Sequence, residues 1–244
     1  MPDRIFNKDK LRTCIDEFMG TFENEDSDAE GKISRKSLDP IIFSLDYYKH
    51  GESFDWKASA IAQATRKTRE TRIGDLHMNL VGLMPDWEKL PTGRGRPDIV
   101  NKDKKLLSEM KSRSDTVKGS DQIVIYDSLM HNITGLYEGY IGLYSFILNK
   151  SPKEFTTHFD FTPSDSKTGQ SRIADPRIRA VDGRILWAIV SDPKQGIDPP
   201  YSNINAISQV YDEVIEAILT FKGRPASKIV TGDLAALTKL NFKL

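Results

Sequence analysis

Apolar positions recur at helical spacing over KLRTCIDEFMGTF near the start of the chain, and again over SRKSLDPIIFSLDYY. A longer run with the same period extends from about Asp55 through WKASAIAQATRKTRETRIGDLHMNLVG. Gly74 is expected to break it and Pro85 to close it. Beyond Pro85 the period shortens. PDIV and KLLSEMKS read as two short strands, with NKDK as turn material between them. SDQIVIYDSLMHNI keeps its apolar residues on one face and predicts a helix, with Ser120 as the candidate N-cap. Three strand-like runs follow, LYEGYIGLYSFIL, EFTTHFDF and ILWAIVS, and the amphipathic NINAISQVYDEVIEAIL comes after them. Phe155, Phe159 and Phe161 alternate along one strand face and are expected in the core. Helices, hairpin, crossover helix, strands, helix: that order predicts an α/β fold, a mixed β-sheet flanked by helices on both faces. A single domain is expected over residues 1–244, its N-terminal helical part reaching to about residue 85.

Composition narrows the class. With 38% hydrophobic and 29% charged residues, the 244-residue chain has the make-up of an ordinary globular protein. The formal net charge is +0, so no global field marks a nucleic-acid partner. The local charge is uneven, however. FENEDSDAEGK is acidic, whereas the stretches from Arg66 to Arg72 and from Arg94 to Lys118 are rich in cations, and a polyanion responds to the local field. Cys14 is the one cysteine, which excludes an intrachain disulfide framework and points to a reducing compartment. MPDRIFNKDK has no apolar signal segment, and no apolar run approaches the roughly 20 residues that cross a bilayer. A cytoplasmic protein with no membrane association is expected.

The hairpin RPDIVNKDKKLLSEMKSR holds the unusual chemistry. With a turn centred on Asp103–Lys104, opposed residues have numbers summing to 207, which sets Asp98 against Glu109 at about 4.5–5.5 Å between Cα atoms. Lys111 shares the face of Glu109, while Leu106 and Met110 point to the other face, toward a helix. Two opposed carboxylates repel, and a divalent cation is the natural offset. Mg²⁺ takes carboxylate oxygens together with water and substrate phosphate. The Lys111 ammonium could then orient a water beside the ion and stabilise charge developing on a phosphate. Those are the parts for hydrolysing a phosphodiester. A solvated edge hairpin, with Glu109 and Lys111 simply facing water, is the plain alternative.

These residues resemble the PD-(D/E)xK nuclease signature, with Pro97-Asp98 as its first element and Glu109-Met110-Lys111 as its second. IGDLHMNLVG ahead of the hairpin, SEMKSRSDTVKGSD around the second element, and RIRAVDGRILWAIVSD after it resemble Type II restriction endonucleases that cut GGNCC- or GGWCC-like sites. The similarity runs over roughly residues 66–192 and is densest over 73–121. It implies a restriction-endonuclease-like fold and Mg²⁺-dependent cleavage of double-stranded DNA that leaves 5′-phosphates. It further implies Asp98 and Glu109 as metal ligands and Lys111 as the residue that positions or activates water. Glu70, on the helix such nucleases pack beside the hairpin, is a candidate third metal carboxylate; its alternative is an i,i+4 ion pair with Arg66.

Further candidates surround the hairpin. Arg94 and Arg96, in the Gly-rich TGRGRPD, stand next to Asp98 and suit phosphates flanking the scissile one. Thr116, Lys118 and Ser120 lie at the start of the following helix, where amides favour anions. Arg172, Arg177 and Arg179 are candidate readers of guanine, whose O6 and N7 an arginine can pair with bidentately. His77, His131 and His158 have no metal-ligand spacing, and His77 reads as a structural, hydrogen-bonded histidine. No Walker loop and no Gly-x-Ser-x-Gly elbow occurs. The expectation is a site-specific double-stranded DNA endonuclease acting as a homodimer on a palindrome. The alternatives are a structure- or damage-specific nuclease and a non-catalytic DNA-binding module.

Overall fold

A computed structural model describes residues 4–22, 55–93, 95–114, 117–148, 159–165 and 168–223. The helix expected over SRKSLDPIIFSLDYY, the acidic stretch, Phe155 and His158 lie outside them. The first helix, α1 (Lys8–Gly20), starts where the Asn7 side chain accepts from the amides of Asp9 and Lys10, and it buries Leu11, Cys14 and Ile15. The second, α2 (Trp56–Gly82), starts at Asp55, whose side chain accepts from the Ala58 amide. It runs unbroken through Gly74, against expectation. Glycine weakens a helix by about 1 kcal/mol relative to alanine, yet it is what allows close packing here. A Cβ at Gly74 would sit 3.3 Å from Ser112 Oγ, in the segment after the hairpin turn.

Among the described residues six strands form one mixed sheet in the order β1-β2-β3-β4-β6-β5. They are β1 (Trp87–Lys89), β2 (Ile99–Asn101), β3 (Leu106–Arg113), β4 (Ile141–Leu148), β5 (Phe159–Asp160) and β6 (Ile178–Asp182). The β1–β2 and β2–β3 pairs are antiparallel, β3–β4 and β4–β6 parallel, and β5–β6 antiparallel. The parallel β3–β4 step uses α3 (Gly119–Thr134) as its crossover, and α3 covers one face of the sheet. There Ile125, Tyr126, Leu129 and Ile133 pack on Val100, Leu107, Tyr144, Phe146 and Phe161. On the other face α1, α2, α4 (Gly183–Ser191) and α5 (Ala206–Leu219) cluster on Ile99, Leu106, Met110, Leu143 and Ile147. The period-two alternation of β3 therefore feeds two separate cores, with Leu106 and Met110 to one side and Leu107 to the other.

Three expectations are corrected. ILWAIVS is not a strand but the body of α4, and the strand is the preceding IRAVD. Asp182 ends β6 and caps α4, its side chain accepting from the amides of Arg184 and Ile185. Every residue from Ile185 to Val190 is buried, so ILWAI and the valine after it offer no polar face that would mark a helix over a buried strand. Gly183 makes the strand-to-helix corner possible, since a Cβ there would lie 2.4 Å from the Ile147 carbonyl oxygen. The N-cap of α3 is Lys118, not Ser120, and no side chain caps that end. Phe161 is buried as expected, but Phe159, on the edge strand β5, is 38% exposed. No helix among the described residues is long and apolar enough to cross a membrane.

Candidate active site

The β2–β3 hairpin has the register that places the two acids together. Ile99 pairs with Ser108, Val100 with Leu107 and Asn101 with Leu106. Residues 102–105 make the turn, held where Asn101 Oδ1 accepts from the Lys104 amide at 2.8 Å. Just past the last pair, the Asp98 amide donates to the Ser108 carbonyl at 2.9 Å. The Asp98 carboxylate turns back into the hairpin and accepts from the Met110 amide at 2.7 Å. Asp98 thus stands beside Glu109, and Lys111 Nζ donates to Glu109 Oε1 at 2.6 Å. The three residues form one cluster, in which the Glu109 and Lys111 side chains keep 19% and 33% of their exposure.

Burial, and then the charge of Glu109, push the Asp98 carboxyl up to about 6. The Met110 amide, Lys111 and Lys89 pull the other way without cancelling that rise. An unmet demand for positive charge exists at this pair. A cavity of about 110 Å³ lies against Asp98, with Lys111 and Ser112 and, from α2, Gly74, His77 and Met78 also in its wall. Two neighbouring carboxylates suit a hard divalent cation, which fills its other positions with water and substrate oxygens. They do not make an all-protein cage. Among the described residues no group of three or more His, Cys, Asp or Glu converges.

Glu70 is not brought to the pair. It meets Arg66 at 3.2 Å on an exposed face of α2, with the two side chains 58% and 80% exposed. His77 is buried and faces the Tyr211 hydroxyl across 3.4 Å. Burial lowers it to about 4, so it is a neutral imidazole at pH 7. Arg96 is exposed on a turn in which its amide donates to the Gly93 carbonyl at 3.2 Å. Gly95, at φ 74°, provides the left-handed residue of that turn. The Gly95 carbonyl accepts from Asn132 Nδ2 at 2.8 Å, which ties the turn to α3. Lys118 and Ser120 are exposed at the start of α3. Arg94 and Thr116 lie outside the described residues.

The three candidate guanine readers each hold an aspartate. Arg172 binds Asp127 through two bonds of 2.7 Å, Arg177 binds Asp175 at 3.0 and 2.7 Å, and Arg179 pairs with Asp160. Two placements around the hairpin escaped sequence reasoning. Lys104, in the turn, grips the carbonyls at the end of α4; Tyr144, on β4, is the register neighbour of Glu109. The Tyr144 placement depends on a parallel pairing across a crossover, for which a linear sequence has no signal.

A mixed sheet with helices on both faces, and an acid pair and lysine on an internal hairpin, define a nuclease of restriction-endonuclease-like architecture. Comparison with known proteins makes the assignment specific. Residues 4–216 match the model of the Eco47II restriction endonuclease family, and the chain belongs to that family. It is 24% identical over 189 residues to the Type II restriction enzyme Eco47II of Escherichia coli, an overlap of 76% of this chain and 78% of that one. The protein is accordingly a Type II site-specific deoxyribonuclease.

Proposed function

We propose that the protein cleaves double-stranded DNA at a short GGNCC-like palindrome, as a homodimer, with Mg²⁺ held by Asp98 and Glu109 and with Lys111 orienting the attacking water. The observation that carries this reading is the hairpin register, which brings two carboxylates into contact range while Lys111 Nζ already bonds Glu109. The PD-(D/E)xK pattern at Pro97-Asp98 and Glu109-x-Lys111 supports it, as does the general use of a divalent metal by restriction endonucleases. When bound, the ion offsets the paired negative charge and polarises the scissile phosphate. Lys111 supplies positive charge beside the attacked phosphorus, and its ammonium holds the water in line. The water oxygen bonds to phosphorus and the P–O3′ bond breaks, leaving a 3′-hydroxyl and a 5′-phosphate. The attacking water gives its proton to solvent, and the departing 3′ oxygen takes one.

Arg96, Lys118 and Ser120 contact the DNA backbone in this reading, with Arg94 and Thr116 alongside. Arg172, Arg177 and Arg179 must exchange an aspartate for a guanine edge, so Asp127, Asp175 and Asp160 compete with the base. Glu70 keeps Arg66 and is not needed as a third ligand. A palindromic target read by two-fold symmetry requires two copies, each cutting one strand.

The test is incubation of the protein with phage or plasmid DNA, with Mg²⁺ or with EDTA, beside Lys111→Ala. Discrete bands that require Mg²⁺ and fall by at least 100-fold in Lys111→Ala are expected, and their mapped ends give the target. A ladder without defined bands would overturn site specificity, and undiminished cutting by Lys111→Ala would remove Lys111 from the chemistry.

A further inference from the structure

Tyr144 lies next to the carboxylate cluster and has no role in the reading above. It is the direct register partner of Glu109 across the parallel β3–β4 pair, so the two side chains leave the sheet on the same face. Its ring is fixed, stacked on Phe161 at 4.6 Å and 5.6 Å from Phe146. The residue is 4% exposed, and its hydroxyl is buried with no hydrogen-bond partner. A buried hydroxyl left unpaired is destabilising. Phenylalanine would make the same ring contacts without that penalty. Among the described residues Glu109 is the charged group that acts on the phenol, which burial and then this carboxylate push up to about 12. The phenol therefore keeps its proton and remains a donor at neutral pH. In the structure Glu109 Oε1 is engaged by Lys111.

We propose that Tyr144 is a positioning residue for the metal carboxylate: its hydroxyl donates to Glu109 once Lys111 releases that carboxylate to serve the attacking water. This rests on the reading of Asp98 and Glu109 as the metal-holding pair. The hydroxyl fixes the orientation of Glu109 from the β4 side while Asp98 flanks it from β2. Because it leaves the ring and its stacking intact, Tyr144→Phe isolates the hydroxyl.

The experiment measures Mn²⁺ binding to the DNA-free protein by calorimetry, for the wild type, Tyr144→Phe and Glu109→Gln, with the metal-free melting temperature of each. Tyr144→Phe is expected to bind Mn²⁺ about 10-fold more weakly, the usual loss when the group orienting a metal ligand is removed, with a melting temperature level with the wild type or higher. Mn²⁺ affinity within twofold of the wild type in Tyr144→Phe, while Glu109→Gln loses binding, would overturn the role of Tyr144 and leave the metal pair standing. Unchanged affinity in both variants would overturn the metal pair, and this proposal with it. A large fall in the metal-free melting temperature of Tyr144→Phe would make the hydroxyl structural and also overturn the proposal.

Discussion

At the scale of single residues, Asp98 holds a carboxylate where the fold disfavours one. Its folded value of about 6 lies above the ordinary 3.8 of an unfolded aspartate. Well below pH 3.8 the group is neutral in both states and imposes no penalty. As pH rises from 4 through 6 the folded form must take up charge that the unfolded form accommodates freely, so stability falls. Asp98→Asn is therefore expected to stabilise the metal-free protein at pH 8 by up to about 3 kcal/mol, at 1.36 kcal/mol per pH unit. The gain should shrink steadily as pH falls through 6 and vanish only well below pH 3.8, as read in urea titrations. A pH-independent difference would mean that the carboxyl is not strained. Metal affinity follows the opposite course, since a protonated Asp98 cannot ligate. Mn²⁺ binding should weaken about tenfold per pH unit below 6.

At the scale of elements, the hairpin is secured by its own turn. Lys104 Nζ donates to the carbonyls of Asp192 and Gln195 at 2.7 and 3.0 Å, as well as to that of Ile189 at the end of α4. Helix-end carbonyls lack intrahelical partners, and a cation suits them. Lys104→Met keeps much of the stem and removes the donor; a loss of roughly 2 kcal/mol is expected in urea unfolding, with Lys105→Met near neutral as the control. The elements differ in how far the sequence disclosed them. The hairpin register was legible because NKDK is short and turn-forming and the flanking apolar residues alternate. The four-helix side was legible only where one helix face stays wet, as in α1 and α5. In α4 the residues from Ile185 to Val190 are all apolar and buried, and a short apolar run such as ILWAIVS suits either state. Gly74 misled for the converse reason: helix propensity is local, while the close approach of α2 to Ser112 is tertiary. The three-residue β1 carries too little pattern to be seen at all.

At the scale of the whole molecule, α5 ties the two ends of the described chain together. Glu213, 6% exposed, accepts from the amides of Ile5 and Phe6 at 2.8 and 3.2 Å, and Arg4 lies 3.7 Å from the same carboxylate. Phe6 is thereby seated edge-on against Trp187 of α4 at 5.8 Å. Glu213→Ala leaves two amides unpaired and is expected to remove roughly 2–4 kcal/mol, with trypsin cutting after Arg4 or Lys8 well before the rest of the chain. Protection equal to that of the wild type would show that the segment is held by packing alone. Long-range ties of this kind were not legible, because an isolated Glu on a helix looks like any solvated acid. The family resemblance did reach the right class, since the hairpin that carries it is compact in sequence.

The catalytic strand sits between neighbours that are made at different times. During synthesis β2 precedes β3 by one turn, but β4 emerges only after α3, and β6 later still. A nascent chain that has emerged as far as Arg113 already contains Asp98, Glu109 and Lys111 on the three-stranded β1–β2–β3 meander. Its β3 edge stays open until β4 docks beside it as the parallel neighbour. A fragment that ends before β4 therefore carries all three residues of the proposed site but lacks the strand whose Tyr144 stands beside Glu109 in the finished sheet.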